Sequence, residues 1–343
     1  MPTFMHQAFQ RNECHRQDPL RRFRLHLICT FPFDLLQVIA AMNPDKPLAC
    51  IGQNMLFNRH SKGPAMKLTI LGSGTSTGVP MVGCHCPVCA SGDRRDKRTR
   101  ASIIIENSGK YILVDTSTDL RKQVIREHIP HIDAVLFTHS HADHIHGIDD
   151  LRGFHFIHKR IIPCYGSEES MKVIARNFSY IFKGMEAAGY APLMEQNIIS
   201  GPMDLFGCRV EPIPLMHGHM PTTGYRFDDV AYLTDCSSIP DTSRAKLAGL
   251  RLLILDALRY TPHPNHYNIE GALKVVEDLR PEHAILTHLT HEVSYSDGAK
   301  LPSGVEFAYD ACLLLSNPEK LTCNEGFIRL ILRNPWERKE FDA

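Results

Sequence analysis

From Met66 onward the chain is a succession of short apolar runs broken by polar, Gly and Pro residues. Runs too short for helices and rich in Ile, Val and Leu read as strands. They are Lys67–Leu71, Ser102–Glu106, Tyr111–Val114, Ala134–Phe137, Arg160–Cys164, Arg209–Pro212, Tyr225–Phe227, Val230–Thr234, Leu252–Leu255 and Ala284–Leu286. Longer segments with helical spacing predict helices over Asp119–Glu127, Glu168–Phe178, Ser243–Ala248 and Asn268–Leu279. Asn107-Ser108-Gly109-Lys110 reads as a hairpin turn between two of the strands. Residues 1–65 show no such pattern beyond a short helix at Phe33–Met42, and hold eight Lys or Arg against four Asp or Glu. They are expected to form a poorly ordered extension ahead of a domain at 66–316. Residues 317–343 are read as a charged tail that either adds one strand, Phe327–Leu332, or hangs free.

Composition narrows the classes. Apolar residues are 43% and charged residues 22%, as in globular proteins. Lys and Arg total 38 and so do Asp and Glu, so no net charge draws the chain to nucleic acid or an anionic membrane. No apolar run reaches the ~20 residues of a membrane span; Ile28–Met42 is broken by Pro32 and Asp34. No signal peptide is assembled, and 11 cysteines, three of them crowded at Cys84, Cys86 and Cys89, suit a reducing cytoplasm with thiols given to metal. Twenty histidines stand against one tryptophan, so their placement matters.

Thr138-His139-Ser140-His141-Ala142-Asp143-His144 follows the apolar run Ala134–Phe137 and sets four ligand-type side chains within six residues. Such a cluster is costly to bury unless a cation organises it. His217, Asp235 and His288 repeat one pattern, an apolar strand with a ligand type at its carboxyl end, where αβ folds place their sites. Cys236 competes with Asp235, but alternation along an extended chain points it the other way, which favours Asp235.

These residues resemble the metallo-β-lactamase superfamily, whose signature is His-x-His-x-Asp-His. The resemblance covers roughly Met66 to Leu314. It implies an α/β (α+β) fold, the αββα sandwich, with two divalent ions (Zn or Mn) at one edge. On that resemblance His139, His141 and His217 hold one ion, Asp143, His144 and His288 hold the other, and Asp235 bridges them. Two ions sharing a water make hydroxide available near neutral pH.

Gly83-Cys84-His85-Cys86-Pro87-Val88-Cys89 presents three thiols to one ion, and a structural zinc wants four ligands. The loop, together with Leu286-Thr287-His288-Leu289-Thr290-His291, is similar to the phosphoribosyl cyclic phosphate phosphodiesterases of the carbon–phosphorus lyase pathway. There the implied zinc ligands are Cys84, Cys86, Cys89 and His291; His85 is a less favoured fourth. The same family has a histidine 22 positions before the Leu-Thr-His histidine, here His266, implying a catalytic role beside Asp143 as substrate contact or acid at the leaving oxygen; His263 could compete for it. Leu301–Glu306 also fits the family's terminal pattern.

Gly72–Gly78 lacks the dinucleotide spacing and is read as a tight turn offering backbone N–H groups to phosphate. The basic run Asp93–Arg100 is either a solvated loop or a phosphate clamp through Arg98 or Arg100. The expected function is a hydrolase opening a small cyclic phosphate ester such as phosphoribosyl 1,2-cyclic phosphate, with a lactone or thioester hydrolase and a tRNA 3′-processing nuclease as alternatives on one fold. The missing basic arm argues against nucleic acid. A metal-binding module without catalysis would need no such open ligand set. No membrane partner is expected, and a homodimer is compatible with the chain.

Overall fold

The structure is a computed structural model and describes residues 66–183 and 192–315. The expected N-terminal extension and C-terminal tail, with Phe33–Met42 and Phe327–Leu332, lie outside the described residues. One sheet is built from β1 (Lys67–Gly72), β2 (Ser102–Asn107), β3 (Lys110–Val114), β4 (Ala134–Leu136), β5 (Ile162–Gly166) and β6 (Met194–Ile198), with β14 (Cys312–Leu315) beside β1. The other holds β7 (Met203–Leu205), β8 (Cys208–His217), β9 (Met220–Phe227), β10 (Val230–Leu233), β11 (Leu252–Asp256), β12 (His283–Thr287) and β13 (Val305–Phe307). Each is seven-stranded, in the orders β14-β1-β2-β3-β4-β5-β6 and β13-β12-β11-β10-β9-β8-β7.

Strand alternation explains the layering. In β2, Ile103 and Ile105 turn inward to the core shared with Tyr225, Phe227, Tyr232 and Ile254 of the second sheet, whereas Ile104 turns outward. With both faces covered, the central strands read as continuous apolar runs. The helices α1 (Pro87–Ala90), α2 (Leu120–Arg126), α3 (Ala142–Ile145), α4 (Arg152–His158), α5 (Glu168–Asn177), α6 (Ser179–Phe182), α7 (Asp241–Arg244) and α8 (Ile269–Leu279) flank the sheets. Leu120 of α2 and Ile174 of α5 pack on the outer face of the first sheet, and Ile269, Ala272 and Val275 of α8 on that of the second. This is the expected αββα sandwich. Caps fix the ends of the longer helices: Ser167 Oγ accepts from Ser170 N at 3.2 Å, and Asn268 Oδ1 from Gly271 N at 3.0 Å.

Several boundaries differ from expectation. β8 runs five residues past Pro212 to His217, through Pro214. The prolines are tolerated because β7 pairs with β8 only as far as Val210, so the missing N–H groups fall on an edge. The helix expected over Ser243–Ala248 is α7 followed by a 3₁₀ turn at Ala245–Leu247. β6, β7, β13 and β14 were not expected: β7 and β13 have three residues each, and β6 is a largely polar edge strand.

Candidate active site

The carboxyl ends of β3, β4, β8, β10, β11 and β12 deliver side chains to one edge. Asp115 follows β3, the His139–His144 loop follows β4, His217 ends β8, Asp235 follows β10, Asp256 ends β11 and His288 follows β12. Asp115, Asp235 and His288 have left-handed backbones, with φ of 63°, 51° and 61°. Such conformations in non-glycine residues cost free energy and concentrate at functional sites. Here each swings a side chain off the end of its strand.

The rings of His139, His141 and His217 form a triangle with centroids 4.6, 5.8 and 5.2 Å apart. Opposite them, His144 Nε2 lies 3.3 Å from Asp143 Oδ2, and His288 Nε2 lies 3.9 Å from the same oxygen. Asp235 stands between: Oδ2 is 3.1 Å from His144 Nε2, and Oδ1 is 3.4 Å from His288 Nε2 and 4.0 Å from His139 Nε2. The structure thus brings all seven expected side chains together, with Asp235 between the two groups. Cys236 points away, into the apolar cluster with Leu233 and Leu255. The expected separation from Asp235 holds, but the cause is the left-handed turn at Asp235 rather than strand alternation.

Outer contacts fix the rings. Asp115 accepts from Thr138 N at 2.8 Å, Thr138 Oγ1 at 2.7 Å and His144 Nδ1 at 2.7 Å. Thr138 Oγ1, having donated to Asp115, accepts from His139 Nδ1 at 3.0 Å. His217 Nδ1 donates to the Asn265 carbonyl at 2.7 Å. Each contact leaves the Nε2 lone pair facing inward. Asp256 accepts from Cys236 N at 2.9 Å and from His266 Nδ1 at 2.7 Å. His266 stacks on His288 with centroids 4.9 Å apart, and a ring nitrogen lies within 4.8 Å of donor atoms on His217 and Asp235. His263 sits farther out, 5.1 Å from His266.

This arrangement fits cations. His139 Nε2, His144 Nε2 and both nitrogens of His288 are buried without a hydrogen-bond partner, which is costly unless an ion takes the lone pairs. Burial, and then His144, push His139 well below its ordinary value. His144 moves upward because Asp235, Asp115 and Asp143 together outweigh burial. For the same reason His288 is raised to about 9, burial being overcome chiefly by Asp235. Burial would raise Asp143 and Asp235, yet His144 holds the first well below the carboxylate range, and His288 with His144 the second.

A second cluster lies on the loop between β1 and β2. His291 Nδ1 is 3.1, 3.4 and 3.6 Å from the sulfurs of Cys84, Cys86 and Cys89, and all four donor atoms lie within 4.8 Å of one another. That is the spacing of a tetrahedral thiolate–imidazole zinc site. His85 is exposed and outside the cluster. The Cys86 thiol is lowered to about 6, first by the Cys89 backbone N–H, and burial raises Cys89 to about 11.

Two phosphate-binding expectations are corrected. Arg98 is neither solvated nor a clamp: it is 1% exposed and donates to the carbonyls of Thr290 at 3.1 Å and Val293 at 2.8 Å, beside Asp96 at 3.4 Å. It clasps the segment that carries His291. Arg100 donates to Ser76 O and pairs with Asp119 at 3.1 Å. In the Gly72–Gly78 turn the N–H groups of Ser73, Gly74, Thr75 and Gly78 are bonded to Asp310, Thr99, Leu289 and Thr75, so these amides offer no anion cradle. Asp115 and Asp256 were missed, although Val114-Asp115 and Leu255-Asp256 show the same strand-then-acid signal as Asp235.

A family model described as a β-lactamase superfamily domain matches residues 110–289. An octanoyltransferase of Porphyromonas gingivalis is 40% identical over 230 residues, 66% of this chain and 46% of that protein, so the chain spans about half the length of this curated relative. A crystal structure of a diphosphatase from the PhnP family is 40% identical, with a TM-score of 0.68, covering 73% of this chain and 97% of that one. Zn(2+)-bound PqqB from Methylobacterium extorquens shares the fold at 20% identity, with a TM-score of 0.62 over 72% of this chain and 99% of that one. Strand-end ligands between two sheets, the histidine loop and the family match together establish that the chain belongs to the metallo-β-lactamase superfamily.

Proposed function

We propose that the chain is a metal-dependent phosphodiesterase that opens a small cyclic phosphate such as phosphoribosyl 1,2-cyclic phosphate. The observation that carries this reading is the 40% identity with the PhnP-family diphosphatase, sustained over 97% of that chain. His139, His141 and His217 would hold one divalent ion, Asp143, His144 and His288 a second, with Asp235 between them. The ions, Zn or Mn, would neutralise charge on the phosphoryl oxygens and lower the pKa of a shared water. Asp115, Thr138 and Asn265 hold the rings in place before substrate arrives, so little reorganisation accompanies reaction. His266, held at Nδ1 by Asp256, keeps Nε2 for proton delivery to the departing alkoxide. Cys84, Cys86, Cys89 and His291 would hold a structural zinc that fixes the loop after β1.

Hydrolysis of a diphosphate is the second reading, favoured because that relative is a diphosphatase. Octanoyl transfer is not carried over, because the match leaves more than half of that relative unspanned. The test is a panel of a cyclic ribosyl phosphate, a linear diester, a diphosphate, a lactone and a thioester, with Zn, Mn and Ni. The cyclic phosphate should be turned over best. His266→Ala should slow it by roughly 10²–10⁴-fold. Diphosphate cleavage, whose leaving phosphate needs no proton, should be much less affected. Preferred turnover of the lactone or thioester would overturn the reading.

A further inference from the structure

The loop from Leu258 to Asn268, between β11 and α8, carries more than His266. Its base is closed by backbone bonds from Leu258 N to Tyr267 O and from Ile269 N to Arg259 O, each 2.9 Å. Within it, Asn268 Nδ2 donates to Tyr260 O at 3.0 Å, and Arg259 Nη2 donates to Pro262 O at 3.2 Å. Pro262 and Pro264 flank His263, and a proline ring fixes its own φ. The backbone that bears His263 is therefore held on both sides.

Asn265 then sets the ring. Its N–H donates to His263 Nδ1 at 3.2 Å, and its carbonyl accepts from His217 Nδ1 at 2.7 Å. One residue thus ties His263 to a ring of the strand-end site. Because Nδ1 of His263 is the acceptor, the neutral ring carries its proton on Nε2. His266 has the opposite arrangement, with Nδ1 donating to Asp256 and Nε2 left as the inner nitrogen. The two rings are 5.1 Å apart, and His266 lies 4.9 Å from His288. The rings run outward in a file, from buried His288 through His266 to the partly buried His263. Among the described residues none accepts a hydrogen bond from His263 Nε2. A donor of fixed tautomer on a braced loop, with no partner of its own, is prepared for an acceptor that arrives with the substrate.

We infer that His263 is a specificity-determining residue, whose Nε2–H donates to an oxygen of the organic group beyond the reacting phosphorus. This rests on the phosphodiesterase reading, in which the leaving oxygen lies at His266 and the group it belongs to extends outward past that ring. The site then prefers sugar phosphates to bare alkyl ones. The test compares steady-state kinetics of the metal-loaded full chain on a cyclic ribosyl phosphate and on ethylene phosphate, which has the phosphate ring without the sugar. His263→Ala should raise KM for the ribosyl ester about tenfold, the worth of one hydrogen bond, with kcat within about twofold. On ethylene phosphate the KM change should stay below about twofold. His263→Gln keeps an N–H donor at the reach of Nε2 and should bring KM back to within about threefold of wild type, whereas His263→Asn reaches only as far as Nδ1 and should behave like alanine. Titration calorimetry with ribose 1-phosphate should show the same loss, about tenfold in affinity, in His263→Ala. An unchanged KM and affinity in His263→Ala, an equal rise in KM on both esters, or rescue by asparagine rather than glutamine would overturn the inference and leave the phosphodiesterase reading in place. A fall in kcat with KM unmoved would overturn it too, by making His263 the acid. A wild type that cleaves neither ester would overturn that reading and the inference with it.

Discussion

The two metal-type clusters are built on opposite plans. In the strand-end site the donors project from β8 and from the ends of β4, β10 and β12, whose positions are set by sheets with a full apolar core. Its outer contacts run to Asp115, Thr138 and Asn265, which the same strand ends hold in place. The cysteine site draws three donors from the long connection between β1 and β2, where α1 has four residues. There Arg98, Asp96 and Lys97 are among the side chains that hold the loop, and an ion would complete the attachment. Both clusters end on one segment, with His288 in the first and His291 in the second. The first plan puts the consequence of losing an ion in activity, and the second puts it in stability.

The largest expected effect is on the first site. Asp143→Ala or His144→Ala should lower kcat/KM by ~10³-fold or more, because the ions contribute several kcal/mol of charge stabilisation and ~1.4 kcal/mol is tenfold. Far-ultraviolet circular dichroism should be unchanged. Full activity in either variant at limiting metal would erase the distinction between the sites. Asp115→Asn is expected to lower metal affinity or activity by about 10–100-fold, as loss of an outer-shell partner does, because the carboxamide accepts from His144 less strongly than a carboxylate. Isothermal titration with Zn or Mn reads this directly.

Cys86→Ser tests the second plan. Elemental analysis should find one zinc fewer per chain, and a loss of ~3 kcal/mol should lower the unfolding midpoint by roughly 6–12 °C. A variant that melts with the parent and keeps its zinc would make the cluster three ordinary thiols. The mildest test is brief chelation. Activity should fall first and return with added Mn or Zn, while the midpoint moves little, because imidazole and carboxylate sites exchange ions more readily than a thiolate site. A midpoint that drops in step with activity would show the two sites to be one unit.

How far the sequence speaks depends on how local each signal is. The central strands announce themselves because burial on both faces leaves unbroken runs such as Leu252–Leu255. Edge strands such as β6, with one wet face and a polar composition, carry no such run. His139–His144 is visible because its ligand types are adjacent in the chain, whereas Asp115 and Asp256 are single acids whose role is set by rings far away in sequence. Arg98 shows the limit most clearly. In a run of charges it looks like a solvated or phosphate-binding residue, and only the tertiary contact with Thr290 and Val293 makes it a buried clasp.

The separation of Cys84 from His291, 207 residues along the chain, has a consequence for biosynthesis. At about 5–20 residues per second, the ribosome delivers the histidine roughly 10–40 s after the thiols. Throughout that interval the nascent chain displays an incomplete ligand set, open to oxidants and to any soft metal that reaches it first. A metal at the cysteine site would therefore be contested from translation onward, and the growth medium's copper-to-zinc ratio would leave its mark on the purified protein.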